Sequence, residues 1–363
     1  MGRVSVCREA ETREKGRGKP SSSSAGAVQE CSSITNRLQR ANLHMSQPDE
    51  NREDPSGKSD FQQSMARFQR LAEQAADLVE LREKIESEDP QSAGEIAFMA
   101  SPLVQVTLPH SNPGDDVEIW SRENGDLSLY IRSGVTRVNE KKYKPLGLPY
   151  GVYPRLIMTW ICTQVTQHNR RRLDLGESLQ GYMRDLGVTP SGGRQGTTRR
   201  FREQMRRLFA AQIGMIWRKP GREKRQTAVL ADQIDLWWDP KDPNQTTLWE
   251  SSVRLSKPFF EAIRKRPVPA DKRVLREIKD SALAIDLYFW TTYRAACIEE
   301  PLVLSWQQVH DQMGADYSQV KHFAAEAREH LQEISLIWTD LQYETPHGRL
   351  KLYPSRPSVP VDK

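Results

Sequence analysis

The sequence predicts an α+β protein: a disordered N-terminal tail, then two tandem winged helices, each a helix-turn-helix closed by a β-hairpin wing. Three observations carry this expectation. The first 60 or so residues hold few large apolar side chains and many Ser, Lys, Arg, Glu and Gly. From about residue 95, helical periodicity gives way to strand-like runs in the order helices, then hairpin. That order returns after about residue 270 with no literal repeat of sequence.

A segment as polar as residues 1–60 buries too little apolar surface to offset its ordering entropy, so it is expected to be disordered. Met45 opens "MSQPDENREDPSGK" and is a second candidate start of translation. In residues 61–90 the character changes. Phe61, Met65, Phe68, Leu71, Ala75, Leu78, Leu81 and Ile85 recur at three- and four-residue steps, one apolar stripe of a helix. Such a helix packs either on its own domain or on a partner.

The first winged helix is expected over 95–265. "PLVQVTL" (102–108) reads as a strand, and "VEIWSRENGDLSLYIRSG" as a hairpin turning at Asn124-Gly125. "YPRLIMTWICTQVTQ" is a buried helix with Pro154 in its first turn. "ESLQGYMRDLG" is a second helix ended by Gly187, and "TTRRFREQMRRLFAAQ" a third. "IGMIWR" and "QTAVLADQIDLWW" then flank the basic tip "KPGREKR". The tryptophans here, Trp217, Trp237, Trp238 and Trp249, are read first as core.

The second unit is expected over 270–355. It begins with one long helix, "VLREIKDSALAIDLYFWTTYRAAC", followed by a strand running into a short helix, "PLVLSWQQVHDQMG". After a tight turn at 314–316, "DYSQVKHFAAEAREHLQEI" is a helix N-capped by Asp316, with Val320, Phe323, Ala324, Ala327 and Leu331 inward. "SLIWTDLQYETPHGRLKLYP" closes the unit as strand, turn and strand.

Charge is the strongest functional signal. Residues 190–230 hold eleven Arg or Lys against two acids, a net charge of +9 in a chain whose total is +5. On the third helix, Phe201, Met205, Leu208 and Gln212 mark the inner side, while Arg199, Arg200, Arg202, Arg206 and Arg207 fan outward with Glu203 as the only acid. An ordinary solvated face mixes signs, because like charges one turn apart repel. Five arginines are expected where a polyanion neutralises them, and the guanidinium fork suits phosphate. With Arg194 in the Gly-rich entry and Arg218, Lys219, Arg222, Lys224 and Arg225 at the hairpin tip, this is an electrostatic footprint for a DNA backbone. Tyr317, Ser318, Gln319, Lys321 and His322, at the start of the other helix-turn-helix's second helix, are the candidates for reading base edges.

Enzyme chemistry is not expected. No H-E-x-x-H, G-x-S-x-G or His-x-His occurs, and "SGGRQGTT" lacks the Gly-Lys-Ser/Thr of a phosphate-binding loop. Cys7, Cys31, Cys162 and Cys297 form no C-x-x-C, so free thiols are expected, with no metal and no cofactor. No run of about 18 apolar residues exists and the N-terminus has no apolar core, so no membrane partner and a cytoplasmic location are expected.

Several motifs resemble the plasmid-encoded RepA replication initiators. They are the Tyr-Pro-Arg helix start at 153–155, the "LGESLQGYM" block, the "GGRQG" loop and the "QMRRLF" helix. The resemblance spans about 95–355 and is most specific over 150–215. It implies an initiator that binds repeated plasmid-origin sequences in double-stranded DNA, helps open the duplex and recruits a host initiator and replicative helicase, with homodimerisation through the N-terminal unit. In related initiators the C-terminal unit often reads the repeat, whereas here the charge lies mainly in the N-terminal unit. A winged-helix transcriptional repressor is the first alternative, a primase or nicking nuclease the second.

Overall fold

The computed structural model describes residues 77–360 except 140–141, 194–195, 220, 237–250 and 314–316, and the side chains of Lys219, Arg222, Lys224 and Gln226 are outside it too. The expected disordered tail, the Met45 start, Cys7 and Cys31, the first half of the amphipathic helix, the turn at 314–316 with its Asp316 cap, and Trp237, Trp238 and Trp249 therefore lie outside the described residues. Residues 77–360 belong to one compact unit.

The unit opens with helix α1 (77–87), whose Leu78, Leu81 and Ile85 pack against the core. Its last carbonyls are taken up by a buried arginine: Arg273 donates to Lys84 O at 3.2 Å and to Glu88 O at 3.0 Å. Orphan carbonyls at a helix end need such partners. Strand β1 (Ile96–Ala100) and the short helix α2 (Ser101–Gln105) follow. The strand expected at 102–108 is thus displaced. Pro102 has no N–H to give a ladder, whereas in the first turn of a helix that N–H is not needed.

Strands β2 (Ile119–Asn124) and β3 (Leu127–Arg132) form the expected hairpin. After the hairpin β4 (Val135–Asn139) and β5 (Lys142–Pro145) come helix α3 (Val152–His168), strand β6 (Arg172–Asp174), helix α4 (Leu179–Asp185) and helix α5 (Thr197–Ala210). Helix α4 starts where Ser178 Oγ accepts from Gly181 N at 3.1 Å. Strands β7 (Gln212–Lys219) and β8 (Arg222–Val229) are not a free hairpin. They extend β2 and β3 into a four-stranded sheet of order β2-β3-β7-β8. The run expected as one strand from 226 breaks at buried Leu230, and β9 (Ala231–Asp235) joins β10 (Ser252–Leu255) and β6 in a second sheet.

Helix α6 (Lys257–Lys265) and strand β11 (Pro267–Asp271) lead into the C-terminal half. The long helix expected from 274 to 297 is two helices, α7 (Lys272–Ile278) and α8 (Ala282–Ala295). Ser281 sits between them and its Oγ accepts from Ala284 N at 3.2 Å, starting α8 afresh. Strand β12 (Leu302–Ser305), helix α9 (Trp306–Met313), helix α10 (Val320–Ile337) and strands β13 (Tyr343–Glu344) and β14 (Arg349–Leu352) complete the chain. The first strand of this half pairs with the last, in a sheet of order β12-β14-β13.

The two halves share one core. β1 pairs antiparallel with β11 across the expected boundary. Beneath that ribbon Arg155, on α3, donates to both carboxylate oxygens of Asp286 on α8, at 2.9 and 2.6 Å. It also donates to the carbonyls of Leu108 (2.7 Å), Pro109 (3.0 Å) and Gly151 (2.7 Å). His110 Nε2 meets the same carboxylate at 2.8 Å. Burial pushes the Asp286 carboxyl up, but Arg155 and His110 outweigh it and hold it below its ordinary value. A buried ion pair persists only when nearly every donor and acceptor is matched, as here.

Candidate nucleic-acid interface

Helix α5 buries Phe201, Met205, Leu208 and Phe209. Gln204 also turns inward, and its Oε1 accepts from Tyr150 N at 2.8 Å. Gln212, expected on the inner side, lies beyond the helix as the exposed first residue of β7. The entry to α5 is tied by reciprocal bonds: Ser191 N donates to Thr197 Oγ1 at 2.8 Å and Thr197 N to Ser191 Oγ at 3.0 Å. Arg199, Arg200 and Arg206 are exposed along the helix and Arg202 is half-buried beside them.

Arg207 corrects the expected backbone-binding set. It is only 6% exposed. Its Nη2 pairs with Glu203 at 2.5 Å and with Asp115 at 3.3 Å, its Nη1 donates to Leu148 O at 3.3 Å, and its guanidinium lies 5.5 Å from the Tyr150 ring centre. Two carboxylates, a carbonyl and an aromatic face hold it inside the protein, away from a DNA surface. The same arrangement bears on what α5 presents: Glu203, its only acid, pairs with Arg207.

At the wing, the exposed Arg218 pairs with Glu123 at 3.3 Å and with Glu223 at 3.4 Å, and Arg225 pairs with Glu223 at 2.5 Å. Arg225 first, then Arg218, holds the Glu223 carboxyl below its ordinary value. Pairs this exposed are screened and readily exchanged for another anion. Lys219, Arg222 and Lys224 lie on β7 and β8 by backbone position, while Arg194 falls outside the described residues.

In the C-terminal half, α9 and α10 pack through Trp306, Val309, Met313 and Phe323, all buried. Helix α10 starts at Val320, with Gln319 at its N-cap position, three residues later than expected. Ser318 and Gln319 are exposed just ahead of it, and Lys321 and His322 are exposed in its first turn. Tyr317, half-buried, is turned partly inward. Its ring packs edge-on against Phe323 at 5.8 Å and its hydroxyl engages Glu326. Burial, then that carboxylate, pushes the phenol up. The hairpin β4–β5, an exposed ribbon just ahead of α3, escaped the sequence reading. Its signal was there in the short alternating runs "VTRVN" and "KYKP" around a polar turn.

The profile of the family described as plasmid encoded RepA protein matches residues 148–308, which takes in α3, α4, α5 and the wing. That stretch, 161 of the chain's 363 residues, is similar to the plasmid-encoded RepA family. Among solved structures, the chain is similar to domains 2 and 3 of RctB, at 13% identity and a TM-score of 0.45, over 70% of this chain and 99% of that one. A second RctB domain 2–3 structure is similar at 11% identity and a TM-score of 0.43, over 69% and 96%. No curated protein matches the chain. Among the described residues no helix is long and apolar enough to cross a membrane.

Proposed function

We propose that this chain initiates plasmid replication by binding double-stranded DNA at origin repeats through two winged helices. Helix α5 carries this reading: Arg199, Arg200 and Arg206 are exposed on it, with Arg202 half-buried beside them. They meet phosphates, joined by the wing residues Arg218 and Arg225 once DNA displaces Glu223. Phosphate contacts orient the protein and carry no sequence information directly. Base reading falls to Ser318, Gln319, Lys321 and His322, exposed where the second helix of a helix-turn-helix enters the major groove. The C-terminal element order, with β12 against β14, supports the winged-helix assignment there. In the N-terminal half, α3, α4 and α5 followed by β7–β8 support it.

Duplex opening and recruitment of a host initiator and helicase rest on the family resemblance. The protein does no bond chemistry of its own. Titrating origin-repeat and random duplexes with the protein tests the reading: the repeat should bind at least a thousandfold more tightly at one fixed salt concentration. Equal binding to both would sink it. Maintenance of an origin plasmid supplied with the protein separates an initiator from a repressor, which would bind without maintaining. Supercoiled origin DNA incubated with protein and Mg²⁺ should remain unnicked.

A further inference from the structure

The hairpin β4–β5 is a two-stranded ribbon, with no third strand at either edge among the described residues. Arg137, Lys142 and Lys144 are exposed on it, and the sequence from Val135 to Pro145 holds four bases against one acid, Glu140. Val135, Val138 and Tyr143 are exposed too, at 65%, 51% and 62%. They are three of the seven large apolar side chains exposed among the described residues, gathered on one short ribbon. A lone hairpin is marginal in water, and apolar side chains held out on one mark a surface that something covers.

Its root is fixed to the end of α5. Leu146 N donates to Gly134 O at 2.8 Å and Gly147 N to Ser133 Oγ at 3.0 Å, closing the ribbon's base. Gly134 sits so close to α5 that a Cβ there would lie 2.4 Å from Ala210 Cβ and O. At Gly147 a Cβ would lie 2.7 Å from Nη1 of the buried Arg207. Lys144 acts electrostatically on Asp115, the same carboxylate that pairs with Arg207. Arm and arginine helix thus spring from one packed joint.

We propose that β4–β5 is a DNA-binding arm, a second contact that carries Arg137, Lys142 and Lys144 to the backbone of the duplex on which α5 lies. This rests on the DNA-binding reading above. A two-stranded ribbon fits the major groove, and five residues of strand reach about 16 Å, more than the groove's depth. Val135, Val138 and Tyr143 are then covered by sugars and base edges. A second copy of the chain fits less well: it would set like charges face to face, and lysines along an edge oppose strand pairing.

The test uses the full chain with Arg137→Gln, Lys142→Gln and Lys144→Gln together, compared with the parent on origin-repeat and random duplexes over a range of salt. The plot of log K against log salt should become shallower by about 2 to 3, near 0.9 for each lost contact. Affinity should fall by about tenfold or more on both duplexes at low salt, with their ratio unchanged. Should the triple variant melt earlier than the parent, Lys142→Glu alone is read in its place. A variant slope equal to the parent's, with the parent binding normally, overturns the arm and leaves the initiator reading standing. A changed sedimentation profile with an unchanged slope makes the ribbon an interface between copies and overturns the arm as well. A parent that binds no duplex overturns both.

Discussion

Replacing Arg155 by Met tests how the two halves are joined. The side chain is 2% exposed and donates five hydrogen bonds, two to Asp286 and three to the carbonyls of Leu108, Pro109 and Gly151. Methionine fills much of the same volume and donates none. Asp286 is then buried with His110 as its remaining partner. Removing one member of a buried pair costs about 3–5 kcal/mol, because the other charge is left uncompensated. In a body of this size that lowers Tm by roughly 6–15 °C. Replacing both residues, Arg155→Met with Asp286→Leu, removes the stranded charge and should recover part of the loss. The pH dependence has a definite sign. Asp286 titrates below its unfolded value, so its stabilisation is complete above about pH 4 and is lost as pH falls through the folded value. Thermal melts of parent, single and double variants between about pH 3 and 7 measure all of this. A single variant melting within about 2 °C of the parent, or a double variant less stable than the single, would refute the reasoning.

Two further predictions concern the interface. Arg199→Ala with Arg206→Ala should weaken specific and random duplex alike and flatten the salt slope by up to about 2, while Arg207→Ala should lower Tm and leave the slope of the folded protein near the parent's; a large slope change from Arg207 alone would show that it reaches DNA. Gln319→Ala or Lys321→Ala should cost roughly 1–3 kcal/mol on the repeat and much less on random duplex, as quantitative footprinting would show; indifference at 318–322 together with specific loss at Arg199 and Arg206 would make α5 the reader.

Much of the fold was legible because it follows local rules. The Ser-Leu-Gln-Gly start of α4, the Gly187 that ends it and the apolar stripe of α10 are each written within one turn of where they act. What sequence reading missed depends on distance along the chain. Arg155 was visible as the end of a Tyr-Pro-Arg helix start, but its carboxylate partner lies 131 residues away inside "LAIDLYFW", where an aspartate reads as a routine polar residue. The pairing of β1 with β11 was hidden for the same reason, since a five-residue strand does not announce its neighbour. Strand pairing across residues 96–100 and 267–271 and the Arg155–Asp286 pair tie together stretches that the sequence reading treated as separate units.

The arginine patch shows the same limit on a smaller scale. Arg206 and Arg207 are adjacent, and charge counting treats them alike. On the wheel they lie about equally far from the inner stripe of Phe201, Met205 and Leu208, on opposite flanks, so the helix alone does not separate them; what lies beside each flank does, and Arg207 is buried while Arg206 is exposed. A buried guanidinium must find partners or desolvate at a cost. Arg207 finds Glu203 one turn back and Asp115 from the loop before β2. The count of five arginines on this helix therefore overstates how many face DNA, because one is internal. Glu203, the helix's only acid, pairs with it. The other four arginines near 0.9 per contact bound α5's share of the salt slope at about −3.6. A steeper total has to come from elsewhere on the protein, the wing and the arm rooted beside Arg207 first among the candidates, and the paired variants on α5 and β4–β5 measure the shares of helix and arm.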